Sequence, residues 1–493
     1  MKLFHNSQDI QYRTPFGAVK TGTEITLRLC AGEETPDAVW LRLFRQGQEE
    51  KIPMKNQGNG WYAVTVSAGD TPCLLWYDFM VEAHGRYVYY SNSQDSLGGI
   101  GTMSEAPAAN SYQITVYDKN YQTPEWFRGK VMYQIFPDRF CKAEAGADLS
   151  QKRGNFQLHQ DWYAPPADNR HPFENGPAYN DFYGGNLKGI MEKLPYLKDL
   201  GVGVIYLNPI FEAYSNHRYD TGDYKKIDPI LGDEESFREL CRKAEELGIR
   251  IILGGVFSHT GADSIYFNKY GTYGEGQGAY QSWDSPYGRW YQFADYPNYQ
   301  SWWGCSNLPN VNEMENSYLN YILRDEDAVI KKWIRLGASG WRLDVADELP
   351  DEFIRILRTE LKRVNPDGVI IGEVWEDASN KTAYSQQREY LLGHELDSVM
   401  NYPFRDGVLA FLTGQSGAED LNRKMLSQME NYPKETLHSL MNMLGTHDTM
   451  RVKSMLGGME EHCGGARLTS QGEELATRRL MLGAFLQMTF YGV

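Results

Sequence analysis

The chain has 493 residues, which is too many for one ordinary hydrophobic core and predicts a large domain with smaller modules. Its formal net charge of -16 argues against nucleic acid and anionic membranes as partners and favours a neutral substrate. The cysteines lack the spacing of a disulfide framework or a zinc site, and no segment has the apolar length of a signal peptide or membrane span. We therefore expect a soluble, cytoplasmic protein.

The first 119 residues predict a separate N-terminal domain with an antiparallel β-sandwich fold. Runs that alternate apolar and polar residues, such as 23–29, 39–44 and 61–66, are separated by clusters of Gly, Pro and Asn. No convincing helical pattern intervenes, and 118–129 has the composition of a linker. A homodimer formed through this domain is a further expectation.

From residue 120 onward the pattern changes to alternating strands and helices. Strands are predicted at 131–136, 202–207, 249–257, around Trp341, and at 369–374, 396–402 and 440–444, and helices at 187–200, 234–247, 318–336, 351–364 and 476–488. This alternation predicts a parallel sheet, and about seven such units favour a (β/α)8 TIM barrel that lacks its last strand over an open doubly wound sheet.

The predicted barrel is interrupted once along the chain. Two barrel portions, 120–258 and 318–493, flank a segment rich in Gly, Tyr and Trp at 259–317. A stretch of this length without strand–helix alternation is typical of a functional insertion, so we predict an inserted subdomain after the third strand. Its tryptophans, which include Trp302 and Trp303, are interpreted as the core of that subdomain, with stacking platforms for sugar rings as the alternative.

The stretch 340–348 has the alternation of a strand, so Arg342 and Asp344 share one face of it. Buried together, each satisfies the other, and the guanidinium keeps the carboxylate ionised, as a nucleophile or electrostatic stabiliser needs. A purely structural ion pair fits this local pattern as well.

Other polar side chains follow other predicted strands of the barrel. His259 follows the third strand, Asp344 the fourth and Glu373 the fifth, and His447 and Asp448 follow the seventh. Barrel enzymes carry their chemistry at the carboxyl ends of the strands. Carboxylates and histidines that converge on one barrel mouth are the equipment for cleaving a glycosidic bond, so we expect a glycosidase site there.

Four motifs resemble the α-amylase superfamily, glycoside hydrolase family 13: VMYQIFPDRF at 131–140, GWRLD at 340–344, GEVW at 372–375 and GTHD at 445–448. Their order and spacing are together highly specific. Within the family, the chain is most similar to the group of neopullulanases, cyclomaltodextrinases and maltogenic amylases, and to amylopullulanases. The resemblance implies a hydrolase of α-1,4 bonds, with α-1,6 bonds as a further candidate, in maltodextrin, cyclodextrin or pullulan.

The resemblance also implies a role for each site residue. Asp344 would be the nucleophile of a retaining double displacement through a covalent glucosyl-Asp344 ester, with Arg342 keeping it charged. Glu373 would be the general acid and base, its pKa raised by partial burial, and Asp448 would bind sugar hydroxyls. The other implied substrate contacts are His217, Tyr219, His259 and His447.

Departures from the family pattern keep alternatives open. Gly254 stands where the family carries an Asp that braces the arginine and the nucleophile, so a catalytically impaired glucan-binding protein is one alternative. A transglycosylating relative from the same superfamily, in which a second sugar rather than water intercepts the ester, is another. Ser258 stands where many α-amylases have a calcium-binding Asn, which counts against the usual calcium site. We expect that no cofactor is required and leave calcium open, with 181–186 as a candidate segment. The chain stops where relatives continue into an eighth strand, and we expect it to be part of a longer protein.

Overall fold

The computed structural model describes residues 2–107, 110–144, 149–166, 179–459 and 468–493. Within these residues the chain divides into two compact units. We call them the sandwich unit, which comprises Met1–Thr123 and Val374–Gly492, and the sheet unit, which is Pro124–Glu373. No helix in the described ranges is long and apolar enough to cross a membrane.

The sheet unit is built on parallel strands formed by short apolar segments. In chain order, which is also their order across the sheet, they are β1 (Val131–Ile135), β2 (Val202–Leu207), β3 (Arg250–Gly255), β4 (Gly340–Leu343) and β5 (Val369–Gly372). Each strand pairs in parallel with the next. All residues of β4 and β5 are buried, which is typical of a parallel sheet covered on both faces.

Helices alternate with these strands, as the sequence pattern predicts. They are α1 (Leu187–Asp199), α2 (Glu234–Glu246), α3 (Val329–Arg335) and α4 (Asp351–Val364). Polar side chains at their starts fix two of them: Asn186 accepts a hydrogen bond from the Gly189 amide, and Asp233 forms a reciprocal capping box with Ser236.

The helix predicted at 318–336 is broken in the structure. A short helix, Asn316–Leu319, runs into a π-helical turn, Asn320–Arg324, and α3 begins only at Val329. At the break, Asp325 has ψ of 156°, outside the helical region, which agrees with the weak preference of Asp for helix interiors.

Two predicted strands of the later chain are also corrected. The strand expected at 396–402 is reduced to Ser398–Val399, because Asn401 caps a helix, α5 (Tyr402–Thr413), by accepting a hydrogen bond from the Phe404 amide. The strand expected at 440–444 does not form, and a single bridge joins Met441 to Met400. Among the helices that follow α5 are α6 (Ala418–Asn431) and α7 (Ser470–Thr489), and the short helices Lys434–Leu437 and Val452–Leu456 lie between them.

The N-terminal part of the sandwich unit consists of two sheets whose inward-facing side chains share one core. Ile25, Leu27 and Leu29 alternate with less buried residues along their strand, as a sheet with one buried face requires. The first sheet contains Arg13–Thr14, Glu24–Cys30, Lys55–Gly58 and Trp61–Ser67, and the second contains Val19–Lys20, Ala38–Arg45, Gln48–Pro53, Cys73–Ala83, Arg86–Ser91, Thr102–Ser104 and Tyr112–Tyr117.

A buried ion pair joins these sheets to helix α6 inside the sandwich unit. The Arg13 guanidinium donates to Glu430 Oε1 at 2.8 Å and to the carbonyl oxygens of Gln113 and Gly17 at 3.0 and 2.8 Å. Both side chains are almost completely buried. The Thr115 hydroxyl adds a hydrogen bond to the Asn431 carbonyl at 2.6 Å.

Candidate active site

The carboxyl ends of three neighbouring strands of the sheet unit bring polar residues to one edge. In the register of the sheet, Gly255 lies beside Leu343, and Leu343 lies beside Gly372. The chain continues these pairings for one more residue, because the Asp344 amide donates to the Gly255 carbonyl at 2.9 Å and the Glu373 amide to the Leu343 carbonyl at 3.1 Å. Asp344 and Glu373 therefore leave adjacent strands at the same level.

Arg342 holds the side chains of both acids. Its Nη1 lies 2.8 Å from Asp344 Oδ1, and its Nη2 lies 2.8 Å from Glu373 Oε2. All three side chains are buried, with at most 6% of any residue exposed. The two carboxyl groups therefore lie side by side on one guanidinium. The strand pattern alone predicts only the pairing of Arg342 with Asp344.

Arg342 is the cation that Asp344 and Glu373 share. Although burial opposes a charge on Arg342, the acidic groups of Tyr206, Glu373, Tyr219 and Asp344 raise the pKa of its guanidinium above the ordinary value, so the arginine is always cationic. In these contacts one guanidinium faces two carboxyl groups. Two like charges close together are costly to ionise, so an acid pair of this kind favours different protonation states for its two members.

The turn after Asp344 is strained and is held by Glu373. Val345 has φ of 33°, which is unusual for a β-branched residue and costs on the order of 1–3 kcal/mol. Its amide donates to Glu373 Oε2 at 2.8 Å, and the Ala346 amide donates to the Glu373 carbonyl at 3.0 Å. These bonds fix the position of Glu373 relative to the turn that follows β4.

His259 follows β3 and is buried, which lowers its pKa to about 3 and leaves the imidazole neutral at physiological pH. The Ser258 hydroxyl lies 3.1 Å from His259 Nδ1, and the Trp302 ring lies 5.2 Å from the imidazole ring. Ser258 is the residue that stands where many α-amylases have a calcium-binding Asn, and its hydroxyl here contacts the histidine.

His217 and Tyr219 lie on the loop that follows β2. The Tyr219 amide donates to His217 Nδ1 at 3.1 Å, and burial lowers the pKa of His217, so this imidazole is also neutral at physiological pH. Two residues that the sequence analysis missed orient Tyr219: Asn208 Nδ2 donates to the Tyr219 hydroxyl at 3.1 Å, and Gln134 Nε2 donates to Asn208 Oδ1 at 2.8 Å. Asn208 could have been noticed, because it directly follows a buried strand.

His447 and Asp448 belong to the sandwich unit, whereas Asp344 and Glu373 belong to the sheet unit. His447 Nε2 lies 3.1 Å from Asp448 Oδ2, and 42% of the Asp448 side chain is exposed. They follow the segment 440–444, which is not a strand. Their contribution to a substrate site stays a prediction.

Gly254 is the register partner of Arg342 in the adjacent strand. A Cβ atom at this position would lie 3.1 Å from Pro209 Cδ, which is tighter than an ordinary van der Waals contact, and 3.4 Å from the Leu207 carbonyl oxygen. The glycine thus brings no acid to the arginine, and the chain that follows β2 already takes up part of the space for a side chain.

The side chains of the candidate calcium segment are engaged within the protein. Asp181 accepts hydrogen bonds from Asn216 Nδ2 at 3.0 Å and from Arg139 Nη2 at 3.4 Å, and Asn186 caps α1. A guanidinium on the carboxylate does not fit a calcium ligand, and no cluster of three or more metal-ligating side chains occurs among the described residues.

Five cysteines are free thiols, and Cys463 lies outside the described residues.

Two carboxyl groups at the carboxyl ends of adjacent parallel strands, held by one arginine, form the kind of acid pair that cleaves glycosidic bonds. Residues 134–477 match the family model described as "Alpha amylase, catalytic domain". Because this match covers more than half of the chain, the chain belongs to the alpha-amylase family of glycoside hydrolases.

Curated relatives and solved structures agree with this family. The whole chain is 38% identical, over an alignment of 543 residues, to an amylopullulanase from Thermoanaerobacter thermohydrosulfuricus, and it covers 36% of that relative. It is 35% identical over 418 residues, 81% of its own length and 65% of the relative, to Neopullulanase 2 from Thermoactinomyces vulgaris. The type III pullulan hydrolase from Thermococcus kodakarensis superposes over 100% of this chain and 80% of its own, with 25% identity and a TM-score of 0.63. The chain thus spans well under half the length of the amylopullulanase.

Proposed function

We propose that the protein is a retaining α-glucan hydrolase that cleaves α-1,4 glucosidic bonds, with α-1,6 bonds as a further candidate, in maltodextrin, cyclodextrin or pullulan. The observation that carries this proposal is the contact of one buried guanidinium with both Asp344 and Glu373. The names of the relatives, which include amylopullulanase and cyclomaltodextrinase, support α-glucans as the substrate class. We further propose that the described strands are part of a (β/α)8 barrel.

In this mechanism Asp344 attacks the anomeric carbon while Glu373 gives its proton to the departing glycosidic oxygen. The bond to the leaving sugar breaks as a glucosyl ester forms on Asp344. Glu373, now ionised, then takes a proton from water, the hydroxide oxygen attacks the same carbon, and the ester bond breaks with release of Asp344. Arg342 stabilises the carboxylate that carries the charge at each stage, and the amide of Val345 orients Glu373. No cofactor takes part in these steps.

The direct test is product analysis on pullulan, cyclodextrin and starch. Hydrolysis that releases maltose, panose or maltotriose supports the proposal, and the identity of the sugar distinguishes the bonds that are cleaved. Proton NMR of the first product should show the α-anomer, since two displacements restore the starting configuration. Absence of reducing sugar from all three substrates, or a β-anomer as the first product, would contradict it.

A catalytically impaired glucan-binding protein is the second candidate, and Gly254 is the observation that favours it. Without an acid at this position, no carboxylate from β3 braces Arg342. Calorimetric titration with maltooligosaccharides beside a reducing-sugar assay separates the candidates, because binding without turnover identifies the impaired protein. Transfer products formed with added maltose would instead identify a transglycosylating relative. The homodimer through the N-terminal domain stays a prediction.

A further inference from the structure

Trp302 and Trp303 form a stacked pair of indole rings in the segment that precedes helix α3. Their ring centroids lie 4.3 Å apart, with an angle of 11° between the planes. Trp302 is partly buried, whereas Trp303 is 70% exposed. A pair with one large ring left in solvent is not a hydrophobic core, so the interpretation of Trp303 as part of the core of this segment does not hold.

The exposed ring is held in place by specific contacts. Trp303 Nε1 donates to Glu348 Oε1 at 3.0 Å, and the inner face of the ring lies on Trp302. The backbone of Trp303 has φ of 47°, a left-handed conformation that is uncommon for a residue with a large side chain. A strained residue with a fixed and exposed aromatic ring is typical of a binding surface rather than of a surface loop.

The indole pair contacts the segments that follow β3 and β4, and Asp344 begins the second of these segments. Trp302 packs 5.2 Å from the ring of His259, which follows β3. Trp303 Nε1 donates to Glu348, which lies on the short turn Ala346–Glu348 that begins two residues after Asp344. The indole pair therefore lies against the segments that follow β3 and β4, at the edge of the sheet where Asp344 leaves β4.

We propose that Trp303, supported by Trp302, is a substrate-binding platform on which a glucose ring of the α-glucan stacks outside the position of bond cleavage. This proposal rests on the proposed function and adds a residue that selects longer glucans. A flat aromatic face fits the apolar face of a sugar ring, and the Glu348 carboxylate at its edge disfavours anionic ligands. The chain charge of -16 points to a neutral ligand as well.

The test compares Trp303→Ala with Trp283→Ala in the whole chain. Trp283 is the matched control, because it is 61% exposed and belongs to the same inserted segment but has its edge contact with Phe293 rather than with Trp302. For Trp303→Ala we expect the KM for maltoheptaose to rise about 3- to 10-fold, with a smaller change for maltotriose and little change in kcat. Trp303→Phe keeps an aromatic ring, so its KM for maltoheptaose should rise less than that of Trp303→Ala. The KM of Trp283→Ala should resemble that of the unmodified protein.

Titration of the intrinsic fluorescence with maltoheptaose gives a second readout that does not require turnover. The change caused by the sugar should diminish in Trp303→Ala and persist in Trp283→Ala. Equal KM values for the unmodified chain and Trp303→Ala, or equal losses in both variants, would overturn the platform while leaving the hydrolase intact. If the unmodified chain neither binds nor cleaves maltoheptaose, the proposed function itself fails.

Discussion

Two buried arginines of this chain differ in what surrounds them. Arg13 in the sandwich unit contacts one carboxylate, Glu430, and two backbone carbonyl oxygens, so a single cation meets a single anion. Arg342 in the sheet unit contacts two carboxylates, Asp344 and Glu373. The first group pairs one cation with one acid and suits a structural role, whereas in the second one cation is shared by two acids.

This difference separates an ion pair that stabilises the fold from one suited to catalysis. A neutral buried pair loses stability when either partner is removed, because the remaining charge has no counterion. A group with two acids on one cation favours different protonation states for the two, which is the arrangement that assigns one acid to attack and the other to proton transfer. The strain at Val345 next to Asp344 adds to the contrast, since strained backbone concentrates at functional sites.

The largest effect is expected for Asp344→Asn. Removing the nucleophile should lower kcat on maltodextrin by about 10⁴-fold or more, while glucan binding by calorimetry remains measurable. The free energy of unfolding should stay the same or rise, because the change removes one of two acids that are close together and leaves Arg342 paired with Glu373. Asp347→Asn, three residues further on, is the matched control, and unchanged turnover in Asp344→Asn would contradict the nucleophile assignment.

Glu373→Gln should produce the next largest loss. We expect cleavage of maltooligosaccharides, which have poor leaving groups, to fall by about 10²–10⁴-fold. Cleavage of glucosyl fluoride should be affected far less, because the fluoride ion leaves without needing a proton. Steady-state rates on the two substrates measure this ratio. Equal losses on both would count against the role of Glu373 as the acid and favour a purely structural role in holding Val345.

The local order of the sheet unit could be predicted from the sequence because short-range physics determines it. The alternation in β4 places Arg342 beside Asp344, and the strand at 202–207 and the helix at 351–364 are observed at their predicted residues. Apolar periodicity fails where a polar residue redirects the backbone. Asn401 begins a helix inside a predicted strand, and Asp325 interrupts a predicted helix.

The candidate site was less accessible to sequence reasoning where it depends on contacts across strands. The second bond of Arg342, to Glu373, requires the parallel register of β4 and β5, which no single segment encodes. The support of Tyr219 by Asn208 and Gln134 depends in the same way on the adjacency of β1 and β2. The exposure of Trp303 could not be deduced either, because an aromatic residue in a long insertion fits a core or a surface equally well.

A change in the structural pair should act on stability and not on chemistry. Glu430→Ala leaves Arg13 buried without its only carboxylate partner in the described contacts, and we expect a loss of about 3–5 kcal/mol in the free energy of unfolding. Denaturant titration measures the loss. The double variant Arg13→Met with Glu430→Leu should recover much of it, because no uncompensated charge remains, and a double variant as unstable as Glu430→Ala would contradict this account.

The smallest effect is expected from substitutions of Gly254, which lies beside Arg342 in the adjacent strand. These substitutions test whether a further acid at this position would support the arginine. Any side chain at 254 crowds Pro209 and the Leu207 carbonyl, so Gly254→Ala should cost about 1–3 kcal/mol of stability. Gly254→Asp bears the same crowding but adds a carboxylate beside the guanidinium, and we expect its turnover to exceed that of Gly254→Ala by about tenfold. Gly254→Asn separates charge from shape, since it has the size of Asp without the anion. Equal kcat for the three variants would show that residue 254 does not brace the arginine, and the pairing of Arg342 with Asp344 and Glu373 would then be sufficient for the site by itself.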